Sequence, residues 1–157
     1  MLNFVKWTVV ITILFNTSTM ILTTASADGV KKRFGQTITV YKTPTCGCCK
    51  HWVSYLKKDG FTVLTHDLND LEPVKAANGL SDPRLKSCHT AVVDGYVIEG
   101  HVPADDIWRL LSERPPIIGL SAPGMPRMSP GMASTTPKDY DVLSFDAEGQ
   151  IRIYSRY

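Results

Sequence analysis

Read from its apolar and polar positions, the chain alternates short strand-like runs with amphipathic helical ones. Thr37 to Tyr41 is β-branched and aromatic and predicts a strand. After the loop Thr43-Pro44-Thr45, the segment Cys46-Gly47-Cys48-Cys49 opens a helix that runs to about Asp59, with Gly60 as its stop. On that helix Trp52, Val53, Tyr55 and Leu56 recur at helical spacing, while Lys50, Lys57 and Lys58 fall on the wet side. Phe61 to Thr65 predicts a second strand. Asn69 or Asp70 then caps a second helix that runs through Ala77 and ends at Asn78-Gly79. Thr90 to Val93 and Tyr96 to Ile98 flank Asp94-Gly95, a strong hairpin signal. Pro103 starts a third helix, which carries Ile107, Trp108, Leu110 and Leu111 and stops before Pro115-Pro116. Gly119 to Pro137 is rich in Gly, Pro, Ser and Met and reads as irregular, part of an extension that begins near residue 117. Strands at about Asp141 to Phe145 and Gln150 to Tyr154, turning around Ala147-Glu148-Gly149, close the chain. This order predicts an α/β fold: a thioredoxin-like mixed sheet with helices on both faces and a Gly/Pro/Met-rich C-terminal extension.

The first residues read differently. Lys6 precedes the apolar run Trp7 to Phe15, an uncharged stretch reaches Leu22, and Ala25-Ser26-Ala27 supplies a small-x-small pattern. This layout predicts a signal peptide cleaved after Ala27, and so an exported protein. An uncleaved membrane anchor fits less well, because the apolar core is short and Asn16, Thr17, Ser18 and Thr19 interrupt it. Removing 27 of the 157 residues leaves 130, a single domain spanning 28–157, enough to bury a core without staples. Loss of Lys6 takes the formal charge from +2 to +1. No basic or acidic block stands out, which argues against nucleic acid or an anionic membrane as a partner.

Export sharpens the meaning of the cysteines, because thiols outside the cytoplasm are oxidised unless a metal or a reductant holds them. All four, Cys46, Cys48, Cys49 and Cys88, follow the signal segment. Two structural disulfides, in any of three pairings, are one reading. The spacing suits it badly, since three of the cysteines fall within four residues and only Cys88 could close a long loop. Cys46 and Cys49 have C-x-x-C spacing at a predicted helix N-terminus, where free N–H groups and the helix dipole favour thiolates. Lowered thiol pKa values suit either disulfide exchange or metal ligation.

Three features favour metal. Cys48 adds a third sulfur that a dithiol oxidoreductase does not need. Cys88 lies just before the hairpin, where a thioredoxin-like fold faces the first helix; the run there is Ser87-Cys88-His89-Thr90, without the cis-proline that thioredoxins usually carry. Soft thiolates with thioethers nearby select Cu(I), and Met125, Met128 and Met132 occupy the extension. Zinc in a four-cysteine site is the alternative, but adjacent Cys48 and Cys49 suit several ions sharing bridging thiolates better than one tetrahedral ion. His89 is a candidate extra ligand or outer support for the site. Met125 and Met132 are candidate further ligands. His101 is expected to cap the next helix or bond a carbonyl, His51 and His66 to lie at the surface, and Trp52 and Trp108 to be core.

The segments VYKTPTCGCCKHW, LKSCHTAVVDGYVIEGHVPADDIWRLL and GLSAPGMPRMSPGM, in that order, resemble the CopG-type bacterial copper-resistance proteins, the periplasmic thioredoxin-like family and not the repressors of the same name. The resemblance runs from about Thr37 to the end. It implies a periplasmic domain in which Cys46, Cys48, Cys49 and Cys88 hold copper as a multinuclear Cu(I) cluster. It also implies a role in copper redox chemistry, with other periplasmic copper-handling proteins as partners. One departure is Met128, where a glycine is expected. The rival is an enzyme, a thiol–disulfide oxidoreductase with Cys46 as nucleophile and Cys49 as resolving thiol.

Overall fold

The computed structural model describes residues 35–134 and 136–157; the predicted signal segment 1–27 lies outside them. In chain order the elements are β1 (Thr37–Lys42), α1 (Gly47–Lys58), β2 (Thr62–Asp67), α2 (Glu72–Ala77), a 3₁₀ turn (Pro83–Leu85), β3 (His89–Val93), β4 (Tyr96–Gly100), α3 (Ala104–Glu113), β5 (Gly119–Ala122), β6 (Asp141–Phe145) and β7 (Ile151–Arg156). Among the described residues the fold is mixed α/β, with one seven-stranded sheet in the order β2-β1-β3-β4-β5-β6-β7 and three α-helices. The β1–β2 and β4–β5 pairs are parallel, and the other neighbours are antiparallel. None of the described helices is long and apolar enough to cross a membrane.

Alternation along the strands builds two cores, one on each face of the sheet. Ile98 of β4 joins Ile38, Val40, Trp52, Leu56, Ile107 and Leu110, the layer under α1 and α3. Its neighbour Val97 points the other way and packs with Leu80, Leu85 and Phe145. Trp52 and Leu56 are fully buried, and each such side chain contributes on the order of 2–3 kcal/mol. Trp108 is half-buried against the first core, stacked on Phe61 with ring centroids 4.0 Å apart.

The turn at Asp94-Gly95 takes positive φ at both residues, 48° and 84°, the mirror-image turn that suits the twist of a hairpin. Asp70 provides the start signal for α2, its Oδ1 accepting from the Glu72 N–H at 2.9 Å. One expectation is corrected. The stretch from Gly119 is not wholly irregular, because Gly119–Ala122 forms a fully buried strand between β4 and β6. Gly119 permits this: a Cβ there would sit 1.9 Å from the Val97 carbonyl oxygen, so only glycine lets the two backbones approach.

Candidate metal centre

The sequence local to α1 places three sulfurs at one point. β1 ends at Lys42, and after Pro44 the chain turns into α1 with Cys46 as its N-cap. The Cys46 sulfur accepts the Cys49 N–H at 3.3 Å, doing what a serine or aspartate oxygen usually does at a helix start. Cys49 faces the core and is fully buried, whereas Cys46 and Cys48 are half-buried. Cys46 and Cys49 are joined by a disulfide. Cys48 keeps a free thiol, its Sγ 3.5 Å from that of Cys46.

Sheet register supplies the fourth sulfur. β3 pairs antiparallel with β1 so that His89 lies opposite Lys42, which sets Cys88 beside the start of α1. The Cys88 Sγ is 3.5 Å from the Cys49 Sγ. All four sulfurs lie within 4.8 Å of one another, a spacing that ligands of one metal centre can have.

The same register brings two imidazoles to Cys88. Thr90 pairs with Glu99, and just beyond these paired ends Cys88 and His101 lie side by side, the chain turning at Gly100 with φ 72°. The Cys88 Sγ is 3.3 Å from His101 Nε2 and 3.3 Å from His89 Nδ1. Both rings are fully buried, and burial holds both pKa values below the ordinary histidine value, leaving the neutral form that ligates metal. Burial, with the charge of Cys48 next, pushes the Cys88 thiol up to about 12. An ion binding there would displace a proton. His101 does bond a carbonyl, as its sequence context suggests, its Nδ1–H donating to Pro130 at 2.7 Å. Its position against Cys88 was legible in the hairpin: a turn centred on Asp94-Gly95 sets 88 across from 101.

A buried ion pair supports the Cys88 loop from the other face of the sheet. Lys75 of α2 and Glu99 of β4 are paired there, Lys75 also donating to Thr90 Oγ1 at 3.0 Å. Glu99 accepts from Thr90 at 2.7 Å and from the Ser87 N–H at 2.5 Å. Burial raises the Glu99 pKa, and the ammonium of Lys75 opposes that shift. Sequence reading missed this pair, because lysine and glutamate in amphipathic elements look like surface residues.

The Gly/Pro/Met-rich segment closes the site. Gly124 N–H bonds the Lys86 carbonyl at 3.0 Å, and the Ser87 hydroxyl donates to the Gly124 carbonyl. Gly131, at φ 86°, presses on α1 so closely that a Cβ would lie 2.6 Å from the Trp52 nitrogen. Met132 lines a groove of about 530 Å³ with His51, Ser54, Tyr55 and Lys58 of α1. Met125 is 58% exposed, and His51 and His66 are at the surface.

Comparison with known proteins gives this geometry a setting. Residues 85–132, which include Cys88, His89 and His101, match a family model described as a protein of unknown function, DUF411. Two solved structures titled "Copper resistance protein copG", Form 2 and Form 1, each match with a TM-score of 0.71 at 41% identity. Each match covers 78% of this chain, and 98% and 97% of the respective solved chains. No curated protein gives a significant match.

Proposed function

Because the chain belongs to the CopG family of copper resistance proteins, we propose that it captures Cu(I) as cargo through Cys46, Cys48, Cys49 and Cys88. The observation that carries this reading is the convergence of four sulfurs within 4.8 Å, three from a helix start and one from the facing hairpin. Thiolate is the softest donor a protein has, and it selects Cu(I) among available ions. Adjacent Cys48 and Cys49 favour bridging, so more than one ion per chain is proposed, as a thiolate-bridged cluster. Loading requires the dithiol form, in which the Cys46–Cys49 disulfide has been reduced. His89 and His101 stand at the edge of this donor set. Met132, in the groove beside α1, and Met125, at the surface, belong to the approach to the site in this reading.

We place the protein in the periplasm, from a signal peptide ending at Ala27, with residues 28–157 as one domain serving copper resistance. Its βαβ unit, followed by a hairpin and a helix, with cysteines where α1 begins, supports a thioredoxin-like description. Other periplasmic copper-handling proteins would supply or receive the ion.

The Cys46–Cys49 disulfide favours a second reading, a thiol–disulfide oxidoreductase. In the dithiol form Cys46, the more exposed of the pair, would attack a substrate disulfide, and buried Cys49 would resolve the mixed disulfide, releasing the substrate as dithiol and closing the Cys46–Cys49 bond. Anaerobic titration of the reduced protein with Cu(I) against a strong Cu(I) chelator separates the two readings. Cargo binding predicts more than one copper per chain, four protected thiols, and collapse of uptake in Cys88→Ser. The oxidoreductase predicts no competitive uptake, a reversible Cys46–Cys49 disulfide, and indifference to Cys88→Ser.

A further inference from the structure

Two of the candidate donors beside Cys88, His89 and His101, are not needed for a four-sulfur site. His89 and His101 are both fully buried, each with a ring nitrogen 3.3 Å from the Cys88 Sγ. The three ligand atoms lie within 4.8 Å of one another and include neither sulfur of the disulfide.

The rings are set for ligation. The His101 Nδ1–H is committed to the Pro130 carbonyl at 2.7 Å, so its Nε2 presents a lone pair toward the sulfur. This is the arrangement by which an outer hydrogen bond orients a metal-binding imidazole. The His89 ring is wedged against Trp52, with centroids 4.4 Å apart, and meets the His101 ring edge-on at 5.0 Å. A single thiol proton on Cys88 can serve only one of the two imidazoles, whereas a metal ion would serve all three donors at once.

We propose that Cys88, His89 and His101 form a second metal site, which takes one borderline divalent ion while Cys46 and Cys49 are joined by their disulfide. The inference deepens the reading of this end of the sheet as a copper centre, but needs no sulfur from Cys46 or Cys49. Two imidazoles and one thiolate are a harder set than four thiolates, suited to Cu(II), Co(II) or Zn(II). The fourth position opens toward Cys48, whose sulfur lies within 4.8 Å of that of Cys88. The disulfide form therefore still offers a single-ion site of mixed donors, distinct from the four-sulfur group that includes Cys46 and Cys49.

Co(II) is the probe, because it does not reduce disulfides and reports sulfur ligation as a charge-transfer band. The purified protein, with its disulfide intact and two free thiols counted, should bind one Co(II) with that band. The band should vanish in Cys88→Ser and persist in the double variant Cys46→Ser/Cys49→Ser, and His101→Ala should weaken binding more than about tenfold. Absence of a sulfur–cobalt band in the disulfide form, or a band that needs Cys46 or Cys49, overturns the proposal. Buried positions can fail to fold when changed, so X-ray absorption on the unmutated Co(II) protein is the second measurement. One sulfur and two imidazoles support the site, and a shell of water oxygens or of sulfur alone refutes it. Cu(I) uptake by the reduced protein, run in parallel, keeps the two readings apart. Cu(I) binding without Co(II) binding sinks this inference alone, and the reverse sinks only the four-sulfur cargo site.

Discussion

The two sides of the centre are built in opposite ways. On the α1 side three sulfurs come from four consecutive residues, and one N–H···S bond at the helix start organises them. Two of the three, Cys46 and Cys48, are half-buried and within reach of reagents. On the hairpin side Cys88 and His89 come from the start of β3 and His101 from just past the end of β4, and the β3–β4 pairing brings these two strand ends together. There the candidate ligands are backed by a buried ion pair, by the Pro130 carbonyl and by the close packing of Gly131 on α1. The contrast assigns labour: the accessible side can exchange bonds, with disulfide and thiolate as alternatives, while the buried side holds its donors in fixed geometry.

The largest effect expected is that of Cys88→Ser, since Cys88 alone belongs to both groups of candidate ligands. It should abolish most Cu(I) uptake by the reduced protein, as well as Co(II) binding by the disulfide form, measured by chelator competition and absorption. Retention of both would show that the hairpin side does not take part.

Next comes the support beneath it. Glu99→Gln leaves Lys75 buried without its carboxylate, and removing one member of such a pair costs about 3 kcal/mol. The urea midpoint should fall accordingly. The double variant Lys75→Met/Glu99→Leu should recover much of that stability, because an apolar pair of similar size needs no desolvated charge. If the single variant unfolds like the parent, the ion pair does not carry the Cys88 loop.

Gly131→Ala ranks third. Its Cβ would meet the Trp52 backbone at a positive φ, which costs about 1–3 kcal/mol and should loosen the hold of Pro130 on His101. Thermal denaturation reads the first effect, and weaker Co(II) binding by the disulfide form reads the second. The smallest effect belongs to Met125→Ala, an exposed position where stability should move by less than about 0.5 kcal/mol. A large drop in Cu(I) affinity in that variant would promote Met125 from the approach to the site itself.

How much of this was legible in the chain follows the same division. The α1 side is local and could be read directly: a strand, a turn with proline, and cysteines at a helix start that Gly60 stops. The Asp94-Gly95 turn was equally plain, and its centre already contained the Cys88–His101 pairing, although His101 was weighed only as a cap or a carbonyl partner. Lys75 and Glu99 were invisible because their burial depends on α2 lying over β3 and β4, which no periodicity reveals. β5 escaped because four residues containing a glycine and a serine carry almost no strand signal, and close backbone approach to Val97, not propensity, makes them one. The segment after it looked irregular and is so, but its turns are tied to Lys86, Ser87, His101 and Trp52.

The central claim, that four thiolates hold more than one Cu(I), is tested most directly by X-ray absorption at the copper edge on the reduced, fully loaded protein. The account predicts a first shell dominated by sulfur and a short copper–copper path from bridging thiolates. A shell of nitrogen and oxygen, with no copper–copper path, would contradict it.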